Sequence, residues 1–569
     1  MAGDGKGLPR ACGALGSYDP EVVGRMAAAL GQRLSVAHRD QASMLMLDRK
    51  PLAWSGRVAR GLAWAEREPV DLDGVRDWRE AATAGALGLV IDGERRAVHA
   101  SASGAGPLYW RRKGDVVYFA TAVDALVRGV LGELTPDWEG VACVLSIGYP
   151  PGDGTLFAEI KRLDPLAMLE CRERGTPAMV PGGLAWTEVE PASDDAAEAV
   201  LAELRSEIAA LGQSGPVLST LTGGWDSRLL LCLLAEGDLD LSAWTIDMDT
   251  GTERETELAA AVARALGVAH QPVEAGRPSF PRRLAETAFL TEYQTAPRYN
   301  VFFTYLSRAL PPRGIVVDGF AAGFLKGNFN VRFVGTHLAW DEAPRELFDF
   351  YAPSAAGRSL LSANAWKAAR QTARRTFDSQ LQRFDGHPSA AALGVYWTRT
   401  RRRISPAPTG IFGARHRVCM PILGDGVVRA SLRARPEAKA DGRLYDRLYE
   451  LLNQPELNRL PSTNDPTSHD LRTMSRPTSS RGARRFYAEL LARSPFRPWL
   501  SDDLKEGLAR GKLGTRARRV WLLERMQNLC CLTLWHDRYA DRLRGFDPAE
   551  LLGPASPARP RSPSRAPAR

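Results

Sequence analysis

The densest chemistry in this chain is one short run, Thr222-Gly223-Gly224-Trp225-Asp226-Ser227-Arg228. Two glycines let a backbone come close to a ligand, and an acid, a hydroxyl and a guanidinium follow at once. If a helix begins at this point, its first N–H groups have no intrahelical partner and its dipole favours negative charge. Thr222 and Ser227 add hydroxyls, and Asp226 is an oxygen ligand of the kind that holds Mg²⁺ on phosphate oxygens. The chemistry indicated is the binding of a nucleotide's phosphates, with Leu221, Thr222, Gly223, Gly224 and Ser227 as the cradle.

The flanks supply the elements that such a site needs. Pro216-Val217-Leu218-Ser219-Thr220-Leu221 leads in as an apolar strand, and Leu229-Leu230-Leu231-Cys232-Leu233-Leu234 leads out as a buried helix. The spacing and lysine of the G-x-x-x-x-G-K-[ST] phosphate loop are absent. The run instead resembles the S-G-G-x-D-S pyrophosphate loop of ATP pyrophosphatases that activate a carbonyl as an acyl-adenylate. The plainer alternative is a Gly-Gly turn with nothing bound.

A chain of 569 residues, 44% hydrophobic and 25% charged, has room for two sizeable domains and the composition of a globular protein. There is no apolar run of membrane-spanning length and no secretory signal core, so a cytoplasmic protein is expected. Its seven cysteines are scattered, without C-x-x-C or zinc spacing, and are expected to be reduced. The net charge of +9 is partly local. A Pro/Ser/Arg tail over 549–569 cannot form a core, and Arg399-Thr400-Arg401-Arg402-Arg403 is expected on a solvated or carboxylate-paired surface. With no aromatic-studded basic groove, neither a nucleic-acid nor a membrane partner is expected.

From 12 to 190 the pattern is mostly β. Gly106-Pro107-Leu108-Tyr109-Trp110, Val117-Tyr118-Phe119-Ala120-Thr121, Gly154-Thr155-Leu156-Phe157 and Ile160-Lys161-Arg162-Leu163-Asp164-Pro165 occur in that order. Together they resemble the landmarks of the glutaminase domain of the glutamine-hydrolysing asparagine synthetase family, an αββα sandwich with an N-terminal cysteine nucleophile. Here the chain starts Met1-Ala2, and the Cys-Gly pair stands inward as Cys12-Gly13. Cys12 could act only if residues 1–11 were removed, because the α-amine is the base for that thiol. No Asn-Gly-Glu segment is present, and Trp54-Ser55-Gly56-Arg57-Val58 stands nearby instead. A structural domain without glutaminase activity is expected.

From 191 to 548 strands alternate with helices. Ser193-Asp194-Asp195 reads as a helix start, with Val200, Leu204, Ile208 and Leu211 on its inner face. Strands are expected at 241–246, 268–273 and 314–318 around a helix at 253–266, giving a doubly wound parallel sheet and then a helical C-terminal part. Ligands bind such sheets at the carboxyl ends of the strands, where Thr222 to Ser227 and Asp318-Gly319 would sit. The resemblance extends here. It implies that Thr245 and Ile246 border the adenosine, and Glu255, Glu257 and His270 fall at familiar places, His270 with an exposed polar residue as its plainer reading. Asp318-Gly319-Phe320-Ala321-Ala322-Gly323-Phe324-Leu325-Lys326-Gly327 resembles the family's Gly-x-Gly-x-Asp-Glu segment. The second metal-binding aspartate is replaced by Ala322 or Gly323, leaving Asp318 as the nearest substitute. Met420-Pro421-Ile422-Leu423-Gly424-Asp425, with Arg417 upstream, and Leu457-Asn458-Arg459-Leu460-Pro461-Ser462-Thr463-Asn464 also fit, but the family's late catalytic lysine has no counterpart.

The function expected is therefore ATP-dependent amide-bond formation. ATP and Mg²⁺ would be used to adenylate a small-molecule or peptide carboxylate, which an amine then attacks. Members without the nucleophile, resembling β-lactam synthetases and lasso-peptide macrocyclases, are nearest in character. Asp226, Ser227 and Arg228 are the expected catalytic set, with Asp226 as the metal ligand. Two alternatives stay open: a glutamine-dependent amidotransferase and a catalytically degenerate nucleotide-binding protein. A homodimer or a pathway-enzyme partner is also left open.

Overall fold

The computed structural model describes residues 7–31, 33–172, 175–212, 215–249, 254–326, 343–439, 442–462, 475–513 and 520–552. Met1, Ala2, Glu253, Gly327, Thr463, Asn464 and residues 553–569 of the basic tail lie outside these. The start of the expected tail is corrected, since Ala549–Leu552 is helical, Glu550 accepts from Trp138 Nε1 and Leu551 packs on the core. The fold is mixed α/β, with two antiparallel sheets first, then a parallel sheet, then helices.

Period-two patterning builds the antiparallel part. One sheet has the order β10-β8-β9-β1-β3-β2, from β1 (Ala11–Leu15), β2 (Ser35–Arg39), β3 (Ser43–Leu47), β8 (Tyr109–Lys113), β9 (Val116–Ala120) and β10 (Ile160–Arg162). The other has the order β12-β11-β7-β6-β5-β4, from β4 (Leu52–Ser55), β5 (Ala59–Ala65), β6 (Ala86–Asp92), β7 (Arg95–His99), β11 (Met168–Arg172) and β12 (Ala178–Val180). Alternate side chains of a strand face opposite ways. Ala11, Leu15, Leu45 and Phe119 therefore meet Leu89, Val98 and Leu169 of the second sheet, while Cys12, Ala14, Met44 and Tyr118 face outward. That outer face is covered by α1 (Pro20–Ala29) and α3 (Val123–Gly129), and α2 (Trp78–Thr83) covers the other sheet through Ala81. The Gly154–Phe157 landmark is not a strand; Phe157 makes an isolated bridge to Pro136.

The parallel sheet has the order β15-β14-β13-β16-β17, from β13 (Val217–Thr220), β14 (Leu241–Asp247), β15 (Ala269–Glu274), β16 (Ile315–Val317) and β17 (Arg417–Cys419). β13 is central, pairing Val217 with Leu241 on one side and with Ile315 on the other. Every β13 side chain is buried, as suits a strand covered on both faces. The strand order reverses between β13 and β16, which places the crevice of such a sheet beside the end of β13. After α4 (Trp138–Ser146), the sheet's helices begin with α5 (Ala197–Ala209), α6 (Trp225–Ala235) and α7 (Arg254–Ala265), then α8 (Phe280–Leu290), α9 (Asn300–Ala309) and α10 (Gly323–Lys326). Past its first turn α6 is apolar all round, with residues 229 to 234 each buried. α5 buries Val200, Leu204 and Ile208 as its spacing requires. Ser193 does not cap it, because its backbone is bonded to Arg433; the Asp195 carboxylate accepts from Ala197 N instead.

The two halves are joined by buried arginines. Arg162 donates to the carbonyls of Gly104, Ala105 and Arg401, and Arg402 donates to those of Pro150 and Gly154. Arg401 pairs with Asp164 at 2.7 Å with its side chain fully enclosed. The surface expected for the basic cluster is thus corrected for Arg401 and Arg402, whose helical segment Tyr396–Ile404 packs against the antiparallel part. Fixed carbonyl oxygens compensate for removing these cations from water. Arg402→Met leaves the carbonyls of Pro150 and Gly154 unpaired, at a cost of about 2–4 kcal/mol. A urea titration followed by tryptophan fluorescence should show that loss, with no measurable change for Ala at the exposed Arg485.

Candidate functional site

At the carboxyl end of β13 the chain turns through Thr222, Gly223 and Gly224 and enters α6, whose N-cap is Gly224 with no side-chain capping bond. The start of the helix is therefore presented without the acceptor that Ser, Thr, Asp or Asn would bring. The loop braces itself. Thr222 N donates to Ser227 Oγ at 3.0 Å, the two hydroxyls lie 2.8 Å apart, and Gly224 N donates to Thr222 Oγ1 at 3.2 Å. Thr222 and Ser227 thus hold the shape of the turn, a more structural part than that of free hydroxyl donors. The Glu255 carboxyl accepts from the Gly223 N–H, and burial raises its pKa.

Asp226, in the first turn of α6, has a partner on each oxygen. Lys326 Nζ lies 2.7 Å from Oδ2, and the Tyr445 hydroxyl donates to Oδ1. Burial, and then the Asp226 charge, keep that phenol protonated. Tyr445 arrives on the helix Arg443–Leu451, which starts after Gly442 at φ +83°, where a Cβ would come within 3.0 Å of the Trp225 ring. The Trp225 and Tyr445 rings then lie 5.6 Å apart, tilted by 36°, and Tyr449 donates to Trp225 O.

Arg228 is corrected. Expected in the catalytic set, it serves backbone carbonyls, with no acid partner among the described residues. Its fully buried guanidinium donates to the carbonyls of Gly223, Leu457, Leu460 and Pro461. It ties the loop to the turn after the helix Pro455–Arg459, which makes it a positioning residue. Thr245 is likewise turned into the sheet, donating to Leu221 O at 2.8 Å and lying 2.9 Å from His270 Nε2. Ile246 is buried beside it, and His270 is half-buried rather than an exposed polar residue.

Asp318 and Gly319 stand at the end of β16, where the added Cβ of a substituted Gly319 would lie 3.5 Å from Asp226 Cβ. The structure therefore brings Thr222, Gly223, Gly224, Asp226, Ser227, Glu255 and Gly319 to one place. Lys326 and Tyr445 complete it. Sequence reasoning missed both: Lys326 lies one helical turn beyond Gly323, and Tyr445 is far away along the chain.

These residues do not fit a magnesium ion held by two carboxylates. Ala322 and Gly323 offer no ligand, and Asp226 is already neutralised by an ammonium. Among the described residues no three His, Cys, Asp or Glu side chains come together to hold a metal ion. Asp318 is mainly a buried acid, its pKa raised from 3.8 to about 6 by desolvation despite a bond from Phe320 N. A carboxyl with a raised folded-state pKa keeps a proton that the unfolded chain has lost. Its stabilising contribution is full below about pH 4 and is lost as pH rises through about 6. Asp318→Asn should flatten this part of the stability–pH curve, checked by thermal melts between pH 4 and 7.

The Cys12 thiol is fully buried on the α1 side, near Val23 O, and burial pushes its pKa up to about 12. Cys12 sits inside β1, paired with Met46 on one side and Ala120 on the other. The preceding residues are held as well: Leu8 N donates to Gly413 O and Asp48 N to Arg10 O. Leu8, Pro9 and Arg10 line a half-open cleft of about 50 Å³ together with Glu66 and Glu292. The Glu66 carboxylate is consumed by Ser101, Ser103 and Gly106 N. Native Cys12 should resist iodoacetamide at pH 8 and react only after unfolding, as peptide mass spectrometry would show.

Among the described residues no helix is long and apolar enough to cross a membrane. No curated protein matches the chain. Among solved structures, the glutamine phosphoribosylpyrophosphate amidotransferase from B. subtilis, complexed with ADP and GMP, matches at 8% identity. That match covers 61% of this chain and 80% of that one with a TM-score of 0.20, too slight a likeness to carry an argument. Residues 201–394, which include β13, α6 and Lys326, match the family model described as Asparagine synthase, and this match supports the asparagine synthetase family for the region that carries the loop.

Proposed function

We propose that the chain is an ATP-dependent amide-bond-forming enzyme that adenylates a substrate carboxylate and passes the acyl group to an amine, in specialised-metabolite or modified-peptide biosynthesis. The family match supports an ATP-dependent, amide-forming ligase in general, and that family generally uses ATP with Mg²⁺. The observation that carries the adenylating reading is the uncapped α6 N-terminus behind Gly223-Gly224, at the strand-order reversal of the sheet.

In this reading the carboxylate oxygen attacks the α-phosphorus of ATP. The bond from that phosphorus to the bridging oxygen breaks, and the electron pair leaves with pyrophosphate. Negative charge grows on the leaving group, where the α6 amides and dipole oppose it. Arg228 keeps the loop in place by holding Gly223 O. The amine nitrogen then attacks the acyl carbon, AMP leaves, and the nitrogen gives up its proton; this step depends mainly on orientation. The domain boundaries that go with the proposal are an extension at 1–11, a non-hydrolysing glutaminase-like unit at 12–190, a synthetase unit at 191–548 and the basic tail. A glutamine-fed reaction is disfavoured by the burial of Cys12 within β1.

A second reading, a nucleotide-binding protein without turnover, is favoured by one observation: Asp226 is already satisfied by Lys326 and Tyr445. Product analysis separates the two. With a competent carboxylate and amine, ³¹P NMR should show AMP and pyrophosphate formed one for one with the amide. Asp226→Asn releases the Lys326 ammonium and the Tyr445 hydroxyl from their place at the loop. It should lower kcat by about a hundredfold if that placement serves the leaving pyrophosphate, with the fold confirmed by a melting curve. ADP and phosphate as products would end the adenylation reading.

A further inference from the structure

The acid expected at Ala322 or Gly323 is missing, but the charge balance of the site is not left open. One helical turn beyond Gly323, the last residue of α10 is Lys326, and its ammonium sits 2.7 Å from the Asp226 carboxylate beside the N-terminus of α6. Residues three apart on a helix share a face, so the place where an acid is lost and the place where a cation appears are neighbours. The Lys326 side chain is 16% exposed, so the cation is partly screened from water yet open to a ligand arriving at the loop.

Without Lys326 the surroundings of the loop are acidic. Asp226 lies in the first turn, the Glu255 carboxyl is on the Gly223 N–H, and Asp318 ends the adjoining strand. Such a cluster repels a polyphosphate unless a positive charge is supplied. An ammonium is a compact point charge with three donors on a flexible stem. Lys326 can keep Asp226 and still direct a second N–H toward a phosphate oxygen.

We propose that Lys326 is the residue that binds the nucleotide's outer phosphates in this site, so that the protein holds a polyphosphate without a protein-bound divalent cation. This rests on the adenylating reading of the loop, and it adds a named phosphate-binding residue and a charge balance supplied by the chain itself. The rival account is an ion pair that only fastens α10 to α6.

The test is calorimetric binding of ATP, with inorganic pyrophosphate as a second probe, to the full chain in EDTA and in excess MgCl₂. The native chain should bind both probes in EDTA. Lys326→Met should weaken binding in EDTA by about tenfold or more, as loss of a charge-assisted bond implies. Lys326→Arg, which keeps the charge, should stay within about threefold of native. Lys326→Asp puts an acid back near the lost position and should make binding depend on MgCl₂. A melting curve checks the fold of each variant, and Lys326→Gln serves if the Met variant unfolds. Native-like affinity in EDTA for a folded Met or Gln variant would overturn the inference. So would a native chain that binds only with MgCl₂, although the adenylating reading would survive both results. A native chain that binds neither probe under either condition would remove both.

Discussion

A helix that starts on glycine brings no capping side chain of its own to its first turn, and this constraint at Gly224 governs the rest of the parallel-sheet region. Such a helix start is tolerable only where water, another segment or an anion can meet its N–H groups, so α6 has to begin at the open end of the sheet. β13 must then be central, and the buried leucines of α6 must lie against the sheet. The loop also has to be held rigid, and its own N–H groups do part of this, Thr222 N on Ser227 Oγ, Gly224 N on Thr222 Oγ1 and Gly223 N on the Glu255 carboxyl. Arg228 adds to this from behind, through carbonyl oxygens on both sides of the turn.

The same end of the sheet gathers acids, and its electrostatics explain why Asp226 is never alone. A carboxylate beside a helix N-terminus is stabilised by the dipole, but it also cancels the field that would attract phosphate. Lys326 returns that charge, and Tyr445 fixes the orientation of the carboxylate. The glycine at 442 and the Trp225 ring bring Tyr445 within reach, so packing far along the chain sets the geometry of the loop.

Much of this was legible in the sequence, for physical reasons. An apolar run before Gly-Gly and another after it can hardly be anything but strand, turn and helix, and β14, α7, β15 and β16 fall within a residue or two of where periodicity put them. The burial of Cys12 was not legible, since alternation within β1 turns it away from the partner sheet and only the packing of α1 through Val23 and Met26 covers it. What the sequence hid are contacts between distant segments. Arg401 and Arg402 read as surface because their acceptors, Asp164, Pro150 and Gly154, are more than two hundred residues earlier. Arg228 read as catalytic because the carbonyls it serves sit near residue 460. Lys326 went unread because attention to a missing acid does not suggest a cation one turn later.

The central claim is that the loop between β13 and α6 holds the phosphates of ATP. The most direct measurement is a structure of the full chain with α,β-methylene-ATP, whose α–β linkage cannot be cleaved. The account predicts the β- and γ-phosphates on the first amides of α6, and the adenosine at the ends of β13 and β14 beside Thr245 and Ile246. A nucleotide seated elsewhere, or phosphates pointing away from Gly223 and Gly224 while the loop keeps its present bonds, would contradict it.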